Sequence, residues 1–447
     1  MVGLAGATVQ YRSLMGPMGG RGYGGDSSPE LDARPGHPDD ALMSALAETA
    51  AFSLAERDRR WAQVRAAMGE HGIDLLVVLP QAIPTDVRYL AQELGAVLFP
   101  ADGEPWIVLG GEDSHLAVER DGWIGQRSSA TAFGASRVPF GAAVAERIRE
   151  LGLRPARAGL VGLDGSALSN VRMPEGYLLH TSVVRIRDSL GDAEIVDGTP
   201  VMAAARYVKS EVEIDAFRAS VEIAEASAAA MAREFGVGRS QADVYRAGMA
   251  ALLQPGVTET NLSWCPGDWG RPRPRFVGPP PGTIGPGLCV AAEIYPGVRG
   301  YVAQVAQPFV AGELTGEQRD AFGLNLAAFD ATCAALRPGA TWREVEAAAL
   351  AVADGTDWQV CFLLHSGPDG PLFVPNDDHE AMLDAKVQAG TVFVSKPFVY
   401  PREPGAYRAR SHDVSWGDTV VVRESGAERL GTRAREVAVC PAADAAP

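Results

Sequence analysis

Along this 447-residue chain the spacing of apolar positions changes several times, and each change marks an element. "ERDRRWAQVRAAMGEHG" carries apolar residues at helical spacing, and the unbroken apolar run "IDLLVVLP" follows it, which predicts a helix and then a buried strand. "PWIVLGG" and "AGLVGLDG" repeat the strand-then-turn theme, with the helix-like "FGAAVAERIRELG" between them. These segments predict an α/β domain over residues 42–200. A second unit, residues 201–447, opens with the long amphipathic segment "KSEVEIDAFRASVEIAEASAAAMAREFG", whose end is marked by Gly236. Further helical patterns ("SQADVYRAGMAALLQ", "TGEQRDAFGLNLAAFDATCAAL", "TWREVEAAALAVADG") alternate with strands expected at 288–294, 301–310, 391–400 and 418–423. The fold class is α/β, or α+β for the whole chain. Residues 1–41 are rich in Gly, Pro and Asp, cannot bury a core and read as a disordered extension. The length suits two domains, each large enough for its own core.

Composition narrows the function classes. A net charge of -16 and a pI near 5.0 argue against nucleic acid or an anionic membrane as partner, because both attract cationic surfaces. A small-molecule substrate fits better. The five cysteines are scattered without a CxxC pair, so neither a disulfide framework nor a structural zinc site is indicated, and a reducing cytoplasm fits. No apolar run is long enough to span a bilayer, and the N-terminus lacks the order of a signal peptide.

One residue stands against this background. "TVFVSKPFVY" at 391–400 reads as a buried strand of β-branched and aromatic residues, yet Lys396 interrupts it. Of the 40 basic residues only Lys209, Lys386 and Lys396 are lysine. A rare residue in an improbable place points to its chemistry.

The order of several blocks carries a resemblance. "RRWAQVRAAMGEHGIDLLVV" with "VRYLA", then "ARYVKSEVEIDAFRASVEIAEAS", "EIYPGVRGYVAQVAQPFVAGELTGEQRDAF", "LLHSGPDG", "AGTVFVSKPFVYP" and "GDTVVVRESGAERL" resemble, in this order, the creatinase, prolidase and aminopeptidase P family. The likeness runs from about residue 45 to 441. It implies a creatinase-like N-terminal domain followed by a pita-bread catalytic domain, usually dimeric, whose peptidase members hold two divalent metals with Asp, Asp, His, Glu and Glu. Carried over position by position, the resemblance sets Glu293 at the first Asp, Gln304 at the second, His365 at the histidine, Lys396 at the first Glu and Gly417 at the second. Leu372 takes the place of a second histidine. Only Glu293 and His365 could still act as ligands. Two hard cations need several anionic oxygens to repay their dehydration, and an ammonium beside them is a like-charge conflict. The centre is therefore expected to hold no metal and no other cofactor. Because the family's first Asp and first Glu meet on one metal, Glu293 and Lys396 are expected to face each other as an internal pair.

The expected polar set of Glu293, Gln304, Tyr301, His365 and Lys396 offers a carboxylate, an amide, a phenol, an imidazole and a cation for acid/base work and oxyanion stabilisation. "WCPGDWGRPRPRFVGPPPG" is expected to bring Trp264, Asp268, Arg273 or Arg275 to the mouth, where an Arg fork would clamp a carboxylate and a Trp would stack on a ring. His412 and Tyr400 are further substrate-binding candidates. The reading is a metal-independent pita-bread enzyme acting on a small polar molecule by hydrolysis, elimination or cyclisation, in specialised metabolism. The alternatives are a creatinase-like amidinohydrolase or amidohydrolase, a binding scaffold in which the ion pair is only structural, and a metal-dependent Xaa-Pro peptidase. Creatinase works through a histidine shortly before the first Asp position, and this chain has none between His180 and His365.

Overall fold

A computed structural model describes residues 52–80, 85–110, 122–130, 139–164, 175–267, 275–362, 364–365, 372–373, 383–403 and 414–440. The extension expected over 1–41 lies outside the described residues. The N-terminal domain is built on a six-stranded mixed sheet: β1 (Leu75–Val78), β2 (Gly95–Pro100), β3 (Trp106–Leu109), β4 (Gln126–Ser129), β5 (Arg157–Leu160) and β6 (Glu194–Asp197), in the order β4-β3-β2-β1-β5-β6. β2 runs antiparallel to both neighbours, while β5 lies parallel to β1 and β6. The apolar run of β1 is buried on both faces, as its lack of alternation requires. Helix Leu54–His71 is opened by the Ser53 hydroxyl, which accepts from the Glu56 N–H, and closed by Gly72 in the left-handed region at φ 62°.

The C-terminal domain holds two larger sheets and smaller ladders. β7 (Val257–Glu259), β10 (Gly297–Val298) and β11 (Tyr301–Val302) form a small edge sheet. β8 (Leu262–Gly267), β9 (Cys289–Ile294), β12 (Val305–Ala311) and β20 (Ala438–Cys440) form the first half-sheet, in the order β20-β12-β9-β8. β14 (Leu364–His365), β15 (Leu372–Phe373), β16 (Val392–Ser395), β18 (Asp418–Arg423) and β19 (Gly426–Arg429) form the second, in the order β15-β14-β16-β18-β19. β13 (Trp358–Cys361) pairs with β17 (Phe398–Pro401). Helices Glu211–Glu234 and Gln241–Leu252 pack together over the core of the first half-sheet, and Gly316–Ala335 with Trp342–Leu350 over that of the second. The half-sheets meet in a seam. Ala306 and Gly417 exchange backbone hydrogen bonds of 3.0 and 3.2 Å, and the Thr419 hydroxyl both accepts from the Gln304 N–H and donates to its carbonyl.

Two buried carboxylates, Glu213 and Glu56, tie the N-terminal helix to the C-terminal domain, Glu56 by accepting from the Ser210 hydroxyl at 3.1 Å. Glu213, 1% exposed, closes the capping box of its own helix by accepting from the Ser210 N–H, and accepts from Arg59 at 2.6 Å and from the Tyr301 hydroxyl at 2.6 Å. Arg60, equally buried, pairs with Glu56 at 2.8 Å and lies over the rings of Phe52, Tyr89 and Trp123. Tyr301 packs edge-on against Phe52 and Phe217. Burial, and then the Glu213 charge, push its phenol well above the ordinary tyrosine range. Tyr301, expected in the catalytic polar set, has its hydroxyl engaged by Glu213 at the joint between the N-terminal helix and the second domain.

Tyr301→Phe keeps the ring and removes one hydrogen bond to a buried carboxylate, which should cost about 1.5–3 kcal/mol in denaturant or thermal melts and leave turnover unchanged. Lost turnover at unchanged stability would return Tyr301 to the site.

Candidate functional site

The site grows from the seam. Glu293 lies on β9, opposite Ser263 of β8 on one side and Ala306 of β12 on the other, so its backbone is fixed by ladders on both edges. Lys396 follows the last residue of β16. Its Nζ donates to Glu293 Oε1 at 2.6 Å, and the two residues are only 7% and 9% exposed. The expected internal pair is thus present, and it bridges the half-sheets. The other carboxylate oxygen is also taken: Arg275 donates to Glu293 Oε2 at 2.9 Å. Arg275 is held in turn by the Ser263 hydroxyl, which accepts from its Nε and a terminal nitrogen and lies 3.0 Å from the Tyr295 hydroxyl. Burial alone would lower the Arg275 pKa. The Glu293 charge and the Tyr295 hydroxyl more than reverse that, so the guanidinium stays charged.

Gly417 shows why a longer residue is missing there. A Cβ on Gly417 would stand 2.4 Å from the Lys396 Cβ and 2.7 Å from the Ser395 carbonyl oxygen, inside any real contact distance. The strands carrying 396 and 417 approach so closely that no side chain fits at 417 without moving backbone. Arg433 holds this approach by donating to the Ala306 and Gly417 carbonyls and to Asp418 at 2.9 Å. Asp418 is fully buried and also accepts from Arg429 at 2.8 Å, yet burial outweighs both cations and raises its pKa. Trp416 lies beneath Arg433, 4.3 Å from its ring centroid.

Gln304, 7% exposed, sits two residues before Ala306 and is fixed through its backbone to Thr419. His365, half-buried, stands opposite Val394 in the β14–β16 ladder, so both side chains share one face of the sheet just before Lys396. Four of the resemblance's five ligand positions, Glu293, Gln304, Lys396 and Gly417, thus lie at one seam, and His365 lies on the strand next to β16. Their chemistry, however, does not suit two dications: both oxygens of Glu293 are bound by cations, an ammonium fills the place of a ligand, and 417 has no side chain. Among the described residues no group of three or more His, Cys, Asp or Glu is gathered in a way that could hold a metal ion.

Other candidates fall elsewhere. Trp264 does not reach a mouth. It is fully buried, donates its indole N–H to Gln241 at 2.9 Å and packs against Phe235 and Phe309. Strand alternation is the reason, since Leu262 and Trp264 turn into the core while Ser263 turns to Glu293. Tyr400 lies on β17 opposite Gln359. Asp268, Arg273 and His412 lie outside the described residues. Ser263 and Tyr295 escaped the sequence reading; the parity of "NLSW" gave the only signal for Ser263, and adjacency to Glu293 the only one for Tyr295.

Residues 215–424 match the model of metallopeptidase family M24. The chain is 27% identical over 296 residues to "Agropine synthesis cyclase" of Rhizobium rhizogenes, covering 61% of this chain and 68% of that protein. It is 25% identical over 412 residues to "Probable dipeptidase PepE" of Mycobacterium tuberculosis, covering 86% and 96%. Among solved structures it superposes on the X-Pro aminopeptidase of Thermotoga maritima with a TM-score of 0.63 at 15% identity, covering 83% of this chain and 99% of that one. It superposes on dipeptidase PepE of Mycobacterium ulcerans with a TM-score of 0.63 at 22% identity, covering 88% and 100%. The fold is the pita-bread fold of these proteins.

Two substitutions separate the charges. Lys396→Met leaves Glu293 still neutralised by Arg275, so its cost should fall near the low end of about 3–5 kcal/mol. Glu293→Gln leaves Lys396 buried without a counter-charge and should cost more. The double variant removes both charges at similar volume and should recover most of the loss. Thermal and denaturant melts measure all three; equal costs for the single variants would show that Arg275 does not share the carboxylate.

Proposed function

From a chain that belongs, over residues 215–424, to metallopeptidase family M24, we propose an enzyme that acts on a small polar molecule without metal, with Lys396 as the fixed cation of its centre. The observation that carries this reading is the 2.6 Å contact between Lys396 and Glu293, because it puts a lysine side chain at the seam between the half-sheets. An ammonium has three N–H donors and Glu293 Oε1 takes one, so the others are able to meet an oxygen that becomes negative. A preorganised donor of this kind stabilises an oxyanion most where water is excluded.

The reaction supported best is addition of a nucleophile to a carbonyl carbon. The new bond forms as the carbonyl π pair moves to oxygen, where Lys396 stabilises it. His365 takes the nucleophile's proton and returns it to the leaving group as the carbonyl re-forms. Water as nucleophile gives hydrolysis; a hydroxyl or amine of the same molecule gives a ring. Ring closure is favoured by the likeness to a protein named as a synthesis cyclase. The competing reading is a binding scaffold in which the same ion pair only supports the fold.

Elemental analysis of protein purified without chelator should find no stoichiometric manganese, zinc, cobalt or iron, and EDTA should leave turnover unchanged. Stoichiometric metal, or activity lost to EDTA and restored by a metal, overturns metal independence. Turnover is read by mass spectrometry on a panel of hydroxy- and amino-acid amides together with their lactones and lactams. Under the proposal Glu293→Gln with Lys396→Met is stable and inactive. A stable double variant with full activity removes Lys396 from catalysis.

A further inference from the structure

Among the described residues the charges around Glu293 do not balance. Lys396 and Arg275 both contact the single carboxylate of Glu293, which leaves one surplus positive charge in this cluster among the described residues, inside a protein whose net charge is -16. The two cations differ in access. Lys396 is buried, whereas the Arg275 side chain is 49% exposed although its inner edge is fixed by Ser263 and Glu293. An arginine serving only to neutralise Glu293 would be redundant with Lys396. One anchored along one edge and open to solvent elsewhere is preorganised to receive an anion, because little rotamer freedom remains to be lost.

We propose that Arg275 is a substrate-binding residue that anchors a carboxylate of the small molecule whose reacting carbonyl meets Lys396. Nε and one terminal nitrogen are engaged by Ser263 and Glu293, so the other terminal nitrogen is the donor that meets the carboxylate, and one surplus positive charge matches a monoanion better than the larger charge of a phosphate. Ser263 acts as a positioning residue, since its hydroxyl accepts from two nitrogens of the fork and so sets its plane. The inference rests on the proposed reading for the location of the reacting group, but the carboxylate preference itself does not depend on catalysis.

The test is calorimetric or NMR titration of the full-length protein with N-acetylglycine, its neutral counterpart N-acetylglycinamide, and inorganic phosphate. Wild-type protein should bind the carboxylate about ten- to a hundredfold more tightly than the amide, the range expected of a charged hydrogen bond. Arg275→Gln should abolish that preference, and Arg275→Lys should retain part of it because the charge stays while the fork is lost. Ser263→Ala should weaken the preference without reversing it. Equal binding of acid and amide to wild-type protein, an unchanged preference in Arg275→Gln, or tighter binding of phosphate than of the carboxylate overturns the proposal. If Arg275→Gln melts much earlier than wild type, Arg275→Lys and Ser263→Ala decide, and an unaltered preference in both overturns it. Metal found by elemental analysis would remove the proposed mechanism and leave these titrations standing, so the two failures are distinct.

Discussion

An ammonium taken out of water keeps its charge at tolerable cost only while a carboxylate stays within hydrogen-bonding reach, and the centre of the second domain is arranged around that requirement. Glu293 is placed by ladders to β8 and β12, and Lys396 by the end of β16, so their contact joins strands from different half-sheets. Everything that fixes the distance between the half-sheets also fixes this pair. The Ala306–Gly417 exchange, the Thr419 hydroxyl on the Gln304 backbone and the Arg433 fork across both carbonyls are the bonds that do so.

The same seam explains how the fold of a metallopeptidase family can carry an inverted local charge. The stability of the two halves comes from helices laid over sheet cores such as Val290, Phe309 and Trp264 in one and Phe393, Val420 and Trp416 in the other. A carboxylate-rich centre needs dications to hold its negative charges together. Here Lys396 pairs with Glu293, the glycine at 417 lets the backbone close onto the lysine, and Arg275 takes the remaining carboxylate oxygen. These three features fit one another, which a site decaying at random would not require.

Much of this was legible in the chain itself. The unbroken apolar run of β1 and the helix from Glu211 follow from period and capping, because these signals are local, whereas the strand expected over 391–400 is two, β16 and β17, in different sheets and parted at Lys396 and Pro397. The order of motifs carried the fold, and the lone lysine in a buried apolar run carried the ion pair, since a buried ammonium must have a partner and the motif order named it. What failed was the assignment of side chains to faces. Trp264 and Tyr301 look like pocket residues when only sequence proximity is counted, but strand parity turns Trp264 into the core and the joint with the N-terminal helix claims Tyr301.

The sequence by itself determined the long helices, the order of the motifs and the identity of the unusual cation, because hydrophobic period, caps and residue type are written residue by residue, whereas the strands expected at 301–310 and 391–400 are each two. Only the tertiary structure decided that Arg275 shares Glu293, that Ser263 orients Arg275, and that a side chain at 417 would collide with Lys396. Those facts depend on strands far apart in the chain meeting within a few ångströms, and close approach of that kind is set by packing rather than by any local pattern.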